Sequence, residues 1–325
     1  MATVFSGIQP TGELHIGNYF GAISNWVKLQ DQHHCIYSIV DLHAITADYQ
    51  PDQLREASAQ MFMDLVACGI DPDRSILFIQ SEVKEHPELA WIFNVVTSYG
   101  DLTRMTQFKD KSEKADFVNA GLFNYPVLQA ADILLYRASR VPVGEDQLQH
   151  LELTRRVARR FNNTYEDFFP EPEPIVGQGA RIMSPANPER KMSASDEPKH
   201  RIGLMEPSEQ IWDKIKSAVT DPGPEDQQEM SPGVANLFTI LELTAEQSTV
   251  EKFREDYEAG ELMYVELKEA VYENLMADIE PIRERKRELQ NDRGQVENLM
   301  EEGTRKAKTL ARENMKQIRK IVGIR

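Results

Sequence analysis

Residues 3–18 read TVFSGIQPTGELHIGN, a short apolar run that turns through glycine and proline into the start of an amphipathic segment. Residues 3–6 predict a strand, and apolar residues recurring every three or four positions after the turn predict a helix. Such a turn directs backbone amides and the positive end of the helix dipole toward a polyphosphate. Gly17 permits close approach of a nucleotide, and His15 and Asn18 supply hydrogen-bond donors. We therefore expect a nucleotide-binding turn here.

Short apolar runs alternate with longer amphipathic stretches through the rest of the first half of the chain. Residues 35–40, 76–79 and 141–143 are continuous apolar runs, as expected of strands buried on both faces of a sheet. Helical periodicity lies between them, and Gly69 is placed to cap one of these helices. The alternation predicts βαβ units and therefore an α/β fold with a parallel sheet.

The second half of the chain has a different pattern. Prolines at 170, 172 and 174 predict a connector, and the loop at 183–198 is rich in Ser, Pro, Asn and Lys. From about residue 207 onward the periodicity is helical, and its last stretch predicts one long amphipathic helix. We expect a catalytic domain over 1–205 and a helical domain over 206–325, whose last helix is available to pack back on the first domain.

The charge of the protein is unevenly distributed. The net charge is −16, yet residues 283–325 hold 13 basic and 7 acidic residues. An acidic body argues against a polyanionic partner, whereas a basic C-terminal segment can still dock one locally. A salt-bridged helix would have the same composition, so composition alone leaves a nucleic-acid partner undecided.

The sequence also bears on location. No run approaches the roughly 20 apolar residues of a membrane span, and the N-terminus lacks the features of a signal peptide. Cys35 and Cys68 lie in apolar stretches without metal-ligand spacing, as expected of buried, reduced thiols. We expect a cytoplasmic protein with no membrane partner.

A second chemical signal lies in the loop, where residues 191–195 read KMSAS. A lysine and hydroxyls on a flexible loop can close over a triphosphate and neutralise charge that develops in a transition state. Neither this segment nor the His15 turn is specific alone. Together, in this order and about 175 residues apart, they form a strong signal.

These two segments resemble the signatures of class I aminoacyl-tRNA synthetases, and nearly the whole chain is similar to the bacterial tryptophanyl-tRNA synthetases. The similarity also includes 39–46 (IVDLHAIT), 104–111 (RMTQFKDK), 125–136, 141–147 (VPVGEDQ) and 179–184 (GARIMS). The resemblance implies a Rossmann-like doubly wound parallel sheet followed by an α-helical, anticodon-binding domain. It also implies a homodimer that uses tRNA(Trp), L-tryptophan and ATP.

The resemblance implies which residues handle ATP. Those implied to bind ATP are Gln9, Pro10, Thr11, Gly17, Asn18, Gly144, Glu145, Asp146, Ile182, Lys191, Met192, Ser193, Ala194 and Ser195. Those implied to assist catalysis are His15, Asn18, Lys111, Lys191, Ser193 and Ser195. A glycine followed by acidic residues after a strand also suits a ribose hydroxyl. Mg²⁺ is expected with the phosphates, and no zinc, because the sequence has no Cys/His cluster.

The resemblance also implies a tryptophan pocket. Its expected residues are Phe5, Gln9, His43, Tyr125, Gln129, Asp132, Val141, Val143 and Gln147. Asp132 would accept the indole N–H, while Tyr125, Gln147 and Gln9 would hold the substrate ammonium. Without the resemblance the apolar members would be interpreted as core. Asp132 interrupts an apolar run, where a carboxylate is costly unless it is hydrogen-bonded, so a functional role is favoured.

Two positions depart from the family pattern. Ala194 replaces the second lysine usual in bacterial members, which removes a cation near the leaving pyrophosphate and costs about 2–3 kcal/mol if uncompensated. Arg190, Lys199 or Lys111 are candidates to compensate. Gln129 stands where methionine is common, and tyrosine enzymes also place a glutamine before the aspartate, which keeps tyrosine open as a substrate.

The expected reaction is adenylate formation from tryptophan and ATP, followed by transfer to tRNA, with catalysis by positioning and charge stabilisation. Two alternatives stay open at this point. One is a small-molecule nucleotidylyltransferase, which has no need of the helical domain. The other is a catalytically retired relative that binds RNA, which Ala194 makes conceivable.

Overall fold

Five parallel strands form a single sheet, as the alternating pattern predicts. The computed structural model describes residues 1–113, 117–176, 181–193, 196–220 and 230–325. The strands are β1 (Thr3–Ile8), β2 (His34–Ile39), β3 (Ile76–Ile79), β4 (Arg140–Val143) and β5 (Glu173–Val176), in the order β3-β2-β1-β4-β5. All four pairings are parallel, with Val4 opposite both Cys35 and Arg140. The predicted α/β class is confirmed.

Helices make up most of the remaining described chain. The longer ones are α1 (residues 16–29, π-helical at Tyr19–Ile23), α2 (Pro51–Ala67), α3 (Glu85–Val96), α4 (Thr106–Ser112), α5 (Ala120–Leu135), α6 (Leu148–Thr164), α7 (Ser208–Lys216), α8 (Pro232–Thr244), α9 (Gln247–Glu258), α10 (Tyr264–Asn291) and α11 (Arg293–Val322). One-turn α-helices occur at Asp41–Ala44 and Tyr99–Leu102, and 3₁₀ turns at Gln80–Glu82, Glu145–Gln147 and Pro198–His200. None of the described helices is long and apolar enough to cross a membrane.

Strand β5 is absent from the sequence prediction, which expected only a connector there. Its Pro174 lies opposite Val141 of β4. Proline has no N–H to donate, so a sheet tolerates it at an edge, and β5 is the last strand in the sheet order. The prolines therefore hid an edge strand.

The two faces of the sheet are covered by two hydrophobic clusters. One joins α1, α2 and α7 to α10 to the sheet, and the other joins α3, α5, α6 and α11 to its opposite face. This double burial explains why the strands are continuous apolar runs rather than alternating ones. Trp26 is buried in the first of these clusters, whereas Trp91 on α3 is 75% exposed.

Helix α11 packs across the end of the sheet next to β3. Gly303, Ala307 and Ala311 are spaced by four residues and face inward, so the helix approaches β3 closely. A Cβ at position 303 would lie 3.0 Å from the carbonyl carbon of Leu77, and nearer still to its oxygen. At the far end, the side chain of Asn314 donates to the carbonyl of Leu135 (2.8 Å).

The chain order of the strands determines where a ligand can bind. From β1 the chain moves outward through β2 to β3, and then returns to the other side of β1 to form β4. In open parallel sheets, a crevice forms at the carboxyl ends of the strands where the order reverses. That point lies between β1 and β4, directly before residues 9–18 and 144–147.

Candidate active site

The turn after β1 is held by its own backbone and by Asn18. The Asn18 side-chain oxygen accepts the backbone N–H of His15 (3.1 Å), and the Asn18 N–H donates to the His15 carbonyl (2.9 Å). A Cβ on Gly17 would lie 2.9 Å from the His15 ring, so a larger residue there would displace the imidazole. The sequence His-Ile-Gly-Asn is therefore needed to fix the buried histidine at the helix N-terminus.

His15 is held in its neutral form. Its imidazole is buried, and burial together with the nearby cations Arg201 and Lys191 lowers its pKa to about 4. Its Nδ1 atom is buried and lacks a hydrogen-bond partner within the described residues. A neutral imidazole beside a helix N-terminus is suited to donate a hydrogen bond to an anionic ligand without carrying a charge itself.

The Lys191 segment reaches the same turn through a short hairpin. Met192 donates its N–H to the Ile182 carbonyl (3.2 Å), and Met183 lies opposite Lys191 in an antiparallel bridge. Met192 is buried and Lys191 is exposed. A Cβ on Gly17 would lie 3.7 Å from the Cβ of Met192, so the two segments meet. The hairpin thus carries Lys191 to the region of the His15 turn.

The hairpin is anchored to the helical half of the chain. The amide of Asn236, on α8, accepts the N–H of Met183 (2.8 Å) and donates to its carbonyl (3.0 Å). The His15 turn is tied to the chain that follows the loop, because Ile16 donates to the Ile202 carbonyl (3.0 Å). The helical half therefore contributes to the geometry of the candidate phosphate site.

The two candidate compensating cations that the structure describes are both paired with carboxylates. Arg190 forms an ion pair with Asp196, and Lys199 lies 2.9 Å from a carboxylate oxygen of Glu197. The third candidate, Lys111, lies on α4, and its side chain is outside the described part of the chain. Ala194 and Ser195 are likewise outside the described residues, so their predicted roles stay predictions.

A polar turn, residues 144–147, follows β4 at the carboxyl end of the sheet. Gln147 donates its N–H to the Gly144 carbonyl (3.0 Å) and its side-chain amide to Asp146 (2.8 Å). Gln129, on α5, donates to the Gln147 side-chain oxygen across 3.4 Å. The side chain of Glu145 lies outside the described part. Gly144 and Gln147 thus bracket a turn at the end of β4, the strand next to β1 at the switch point.

A buried carboxylate with three hydrogen-bond donors lies on α5. Asp132 Oδ1 accepts from Gln80 Nε2 (2.6 Å) and His86 Nδ1 (2.6 Å), and Oδ2 accepts from His43 Nε2 (2.8 Å). Burial alone raises the pKa of Asp132, but the hydrogen bonds and positive partial charges of the two histidines outweigh burial and lower its pKa to about 2. Asp132 is therefore an anionic acceptor at neutral pH.

Comparison with known proteins decides the family. The chain matches the family described as tRNA synthetases class I (W and Y) over residues 1–277. The chain belongs to this family. A tryptophan–tRNA ligase of Clostridium tetani is 48% identical over 99% of this chain and 95% of its own length.

Two solved structures are similar along the full length. Tryptophanyl-tRNA synthetase from Campylobacter jejuni, complexed with ADP and tryptophan, is 34% identical with a TM-score of 0.87, covering 99% of this chain and 100% of its own. The enzyme from Mycoplasma pneumoniae is 33% identical with a TM-score of 0.87, covering 100% of this chain and 98% of its own.

In this class I synthetase, the predicted pocket residues converge on α5 and the strands beneath it. Phe5 and Val141 are buried on adjacent strands, Val143 is partly buried, and Tyr125 lies on α5 with Asp132. Ile182, expected against adenine, is buried in the hydrophobic cluster that includes α1 and α2. Gln9 and Thr11 are exposed, and Pro10 is buried. The arrangement is compatible with the predicted roles, which stay predictions.

Four residues around this pocket could not be predicted from the sequence pattern. His86 and His150 are both buried, although their sequence context gives no sign of burial. His150 Nε2 lies 2.7 Å from the Tyr125 hydroxyl, and burial raises the pKa of Tyr125 to about 12. Gln80 and Tyr136 were not singled out. The available signal was position, since Gln80 directly follows β3 at the carboxyl edge of the sheet.

Proposed function

We propose that this class I synthetase is a tryptophan–tRNA ligase, which activates L-tryptophan with ATP and transfers it to tRNA(Trp). The observation that carries the proposal is the full-length, 48% identity with a tryptophan–tRNA ligase. The pocket supports it, because Asp132 is a buried, anionic acceptor of the kind that an indole N–H requires.

In the first step, the tryptophan carboxylate attacks the α-phosphate of ATP in line, and pyrophosphate leaves. The β1 turn with Gly17 and Asn18 would bind the phosphates, assisted by neutral His15 and by Lys191 on the hairpin. The turn after β4 would hold the adenosine. In the second step, the terminal hydroxyl of tRNA takes the aminoacyl group and AMP is released. Catalysis rests on positioning and charge stabilisation.

ATP would enter as its Mg²⁺ complex, so the ion belongs to the substrate. Among the described residues, no group of three or more His, Cys, Asp or Glu side chains is placed to hold a metal. The phosphates and water would therefore supply most ligands of the ion, as Mg²⁺ usually requires.

The macromolecular partners are a second copy of the chain and tRNA. Large apolar side chains between positions 91 and 117 are strongly exposed, namely Trp91, Val95, Tyr99 and Phe117. Exposed apolar groups of this size support a protein–protein contact, which we assign to a homodimer. The helical domain that we place at 206–325, with its basic end, would read the anticodon. The cytoplasm, where tRNA is charged, is the expected location.

Tyrosine is the second candidate substrate, and Gln129 is the reason to consider it. The glutamine amide donates to Gln147, whereas Asp132 receives its three donors from Gln80, His86 and His43. Gln129 is therefore hydrogen-bonded to Gln147 and is not one of these three donors to Asp132. This arrangement favours tryptophan.

ATP–pyrophosphate exchange, measured with each of the twenty amino acids in turn, tests the activation step. We expect exchange with tryptophan alone. Exchange with tyrosine would overturn the substrate and keep the enzyme class, and no exchange by folded protein would support a retired relative. Lys191→Ala is expected to reduce exchange by at least about tenfold. Lys316→Ala, an exposed lysine on α11, is the matched control and should leave exchange unchanged.

A further inference from the structure

The two oxygens of Asp132 differ in how many donors they already have. Oδ1 receives two, from Gln80 Nε2 and His86 Nδ1, both at 2.6 Å. Within the described part of the chain, Oδ2 receives one, from His43 Nε2 at 2.8 Å. A carboxylate oxygen has two lone-pair positions, so Oδ1 is saturated and Oδ2 has one position left.

The directions of these hydrogen bonds follow from the carboxylate. An ionised Asp132 only accepts, so His86 must donate from Nδ1. A neutral imidazole that donates from Nδ1 has a lone pair on Nε2, which lies 2.9 Å from the Tyr136 hydroxyl. Burial and the negative charges of Asp132 and Glu85 raise the pKa of Tyr136 well above its ordinary value. Tyr136 therefore keeps its proton, and its hydroxyl can donate a hydrogen bond to Nε2 of a neutral His86.

The chain Tyr136–His86–Asp132 has little freedom to move. All three side chains are buried, and His86 is fully inaccessible to solvent. The Tyr136 ring stacks on Phe5 at 5.8 Å between centroids, and its edge meets Phe78. Rings fixed in this way retain one orientation, so the donor that reaches Oδ1 is always in place.

Gln80 connects the carboxylate to the turn that carries His43. Its side-chain nitrogen donates to Asp132 Oδ1, while its side-chain oxygen accepts the backbone N–H of Leu42 (3.1 Å). One buried glutamine thus determines both the rotation of the carboxylate and the position of the short helix Asp41–Ala44. His43, the sole donor to Oδ2 given above, is the residue after Leu42.

We propose that Gln80, His86 and Tyr136 are positioning residues that saturate Oδ1 of Asp132 and thereby present Oδ2 to the substrate N–H. The inference rests on the proposed function, because it assumes that the substrate is tryptophan. None of the three needs to touch the substrate. Their effect is on selection: a ligand without an N–H at the indole position leaves the free acceptor site of Oδ2 buried and unpaired.

The test compares tryptophan with β-(3-benzothienyl)-L-alanine, in which sulfur replaces the indole N–H. The quantity measured is the ratio of kcat/KM for the two compounds in ATP–pyrophosphate exchange. We expect wild-type protein to prefer tryptophan by at least about tenfold, because a hydrogen bond to a charged acceptor is lost with the analogue. His86→Leu, which removes the donor to Oδ1, should reduce this preference by about fivefold or more while the KM for ATP is unchanged.

Two further variants separate positioning from loss of packing. The amide nitrogen of Asn can take the place of imidazole Nδ1, so His86→Asn should restore most of the preference that His86→Leu loses. Tyr136→Phe keeps the ring and removes only the hydroxyl, and should give an intermediate preference. It also keeps the test available if His86→Leu fails to fold.

The proposal is overturned if folded His86→Leu and Tyr136→Phe slow both compounds by the same factor, since that result would indicate a structural role alone. It is equally overturned if both folded variants keep the wild-type ratio of kcat/KM for tryptophan and the analogue. Failure of the proposed function would look different, because wild-type protein would then show no tryptophan-dependent exchange.

Discussion

The close contact of α11 with the sheet leads to a quantitative prediction at Gly303. In Gly303→Ala, the new Cβ would lie 3.0 Å from the carbonyl carbon of Leu77 and closer still to its oxygen. Favourable carbon–carbon contacts lie at about 3.5–4.0 Å, so α11 or β3 must move by roughly 0.5–1 Å or more. The obstacle is a main-chain carbonyl within β3, which has no flexible end that can rotate away.

The expected cost follows from this geometry. Adding a methyl group to a packed interior costs about 1–3 kcal/mol, and a rigid main-chain neighbour selects the upper end of that range. Alanine regains up to about 1 kcal/mol of helix propensity. We therefore expect Gly303→Ala to lower the free energy of unfolding by about 2 kcal/mol.

Gly294, near the start of the same helix, is the matched control. A Cβ there would have its nearest neighbour, an Asp292 carboxylate oxygen, at an ordinary 3.7 Å. Gly294→Ala should be neutral or slightly stabilising. Urea unfolding followed by far-UV circular dichroism gives both values. Equal unfolding midpoints for the two variants would refute the argument that α11 is held against β3 by the absence of a side chain.

Three further predictions concern the active site. The His15 ring should titrate near pH 4 in an NMR experiment, because burial and nearby cations disfavour its protonated form, and a midpoint near 6.5 would contradict this. Gln129→Met should keep tryptophan as the substrate and change kcat/KM by less than about tenfold, because the Gln129 amide contacts Gln147. A change of substrate from tryptophan to tyrosine would contradict this. Ala194→Lys should speed adenylate formation by about tenfold or more in rapid-quench measurements, and an unchanged rate would exclude a deficit at this position.

Much of the fold follows from local sequence pattern. The apolar runs at 76–79 and 141–143 became β3 and most of β4, because strands buried on both faces have no polar alternation. The strand order was not available from those runs, since it depends on pairing between distant segments. Strand β5 was hidden because Pro174 is unfavourable in a strand everywhere except at positions such as a sheet edge.

Burial of individual side chains was harder to predict than the elements themselves. His86 follows a glutamate and has no local sequence signal of burial, yet it is buried against its partner Asp132, which lies on a different helix. Trp91 has the opposite outcome, since an apolar side chain on the outer face of α3 remains exposed. The neighbour that decides the burial of His86 is far away in sequence, so local pattern could not identify it.

Charging of tRNA is the most direct test of the central claim, because it requires both steps of the proposed reaction. Purified protein is incubated with ATP and labelled tryptophan or tyrosine, using transcripts of tRNA(Trp) and tRNA(Tyr) separately. We expect tryptophan to be attached to tRNA(Trp), with no tyrosine attached to either transcript. Attachment of tyrosine to tRNA(Tyr), or no charging by folded protein, would contradict it.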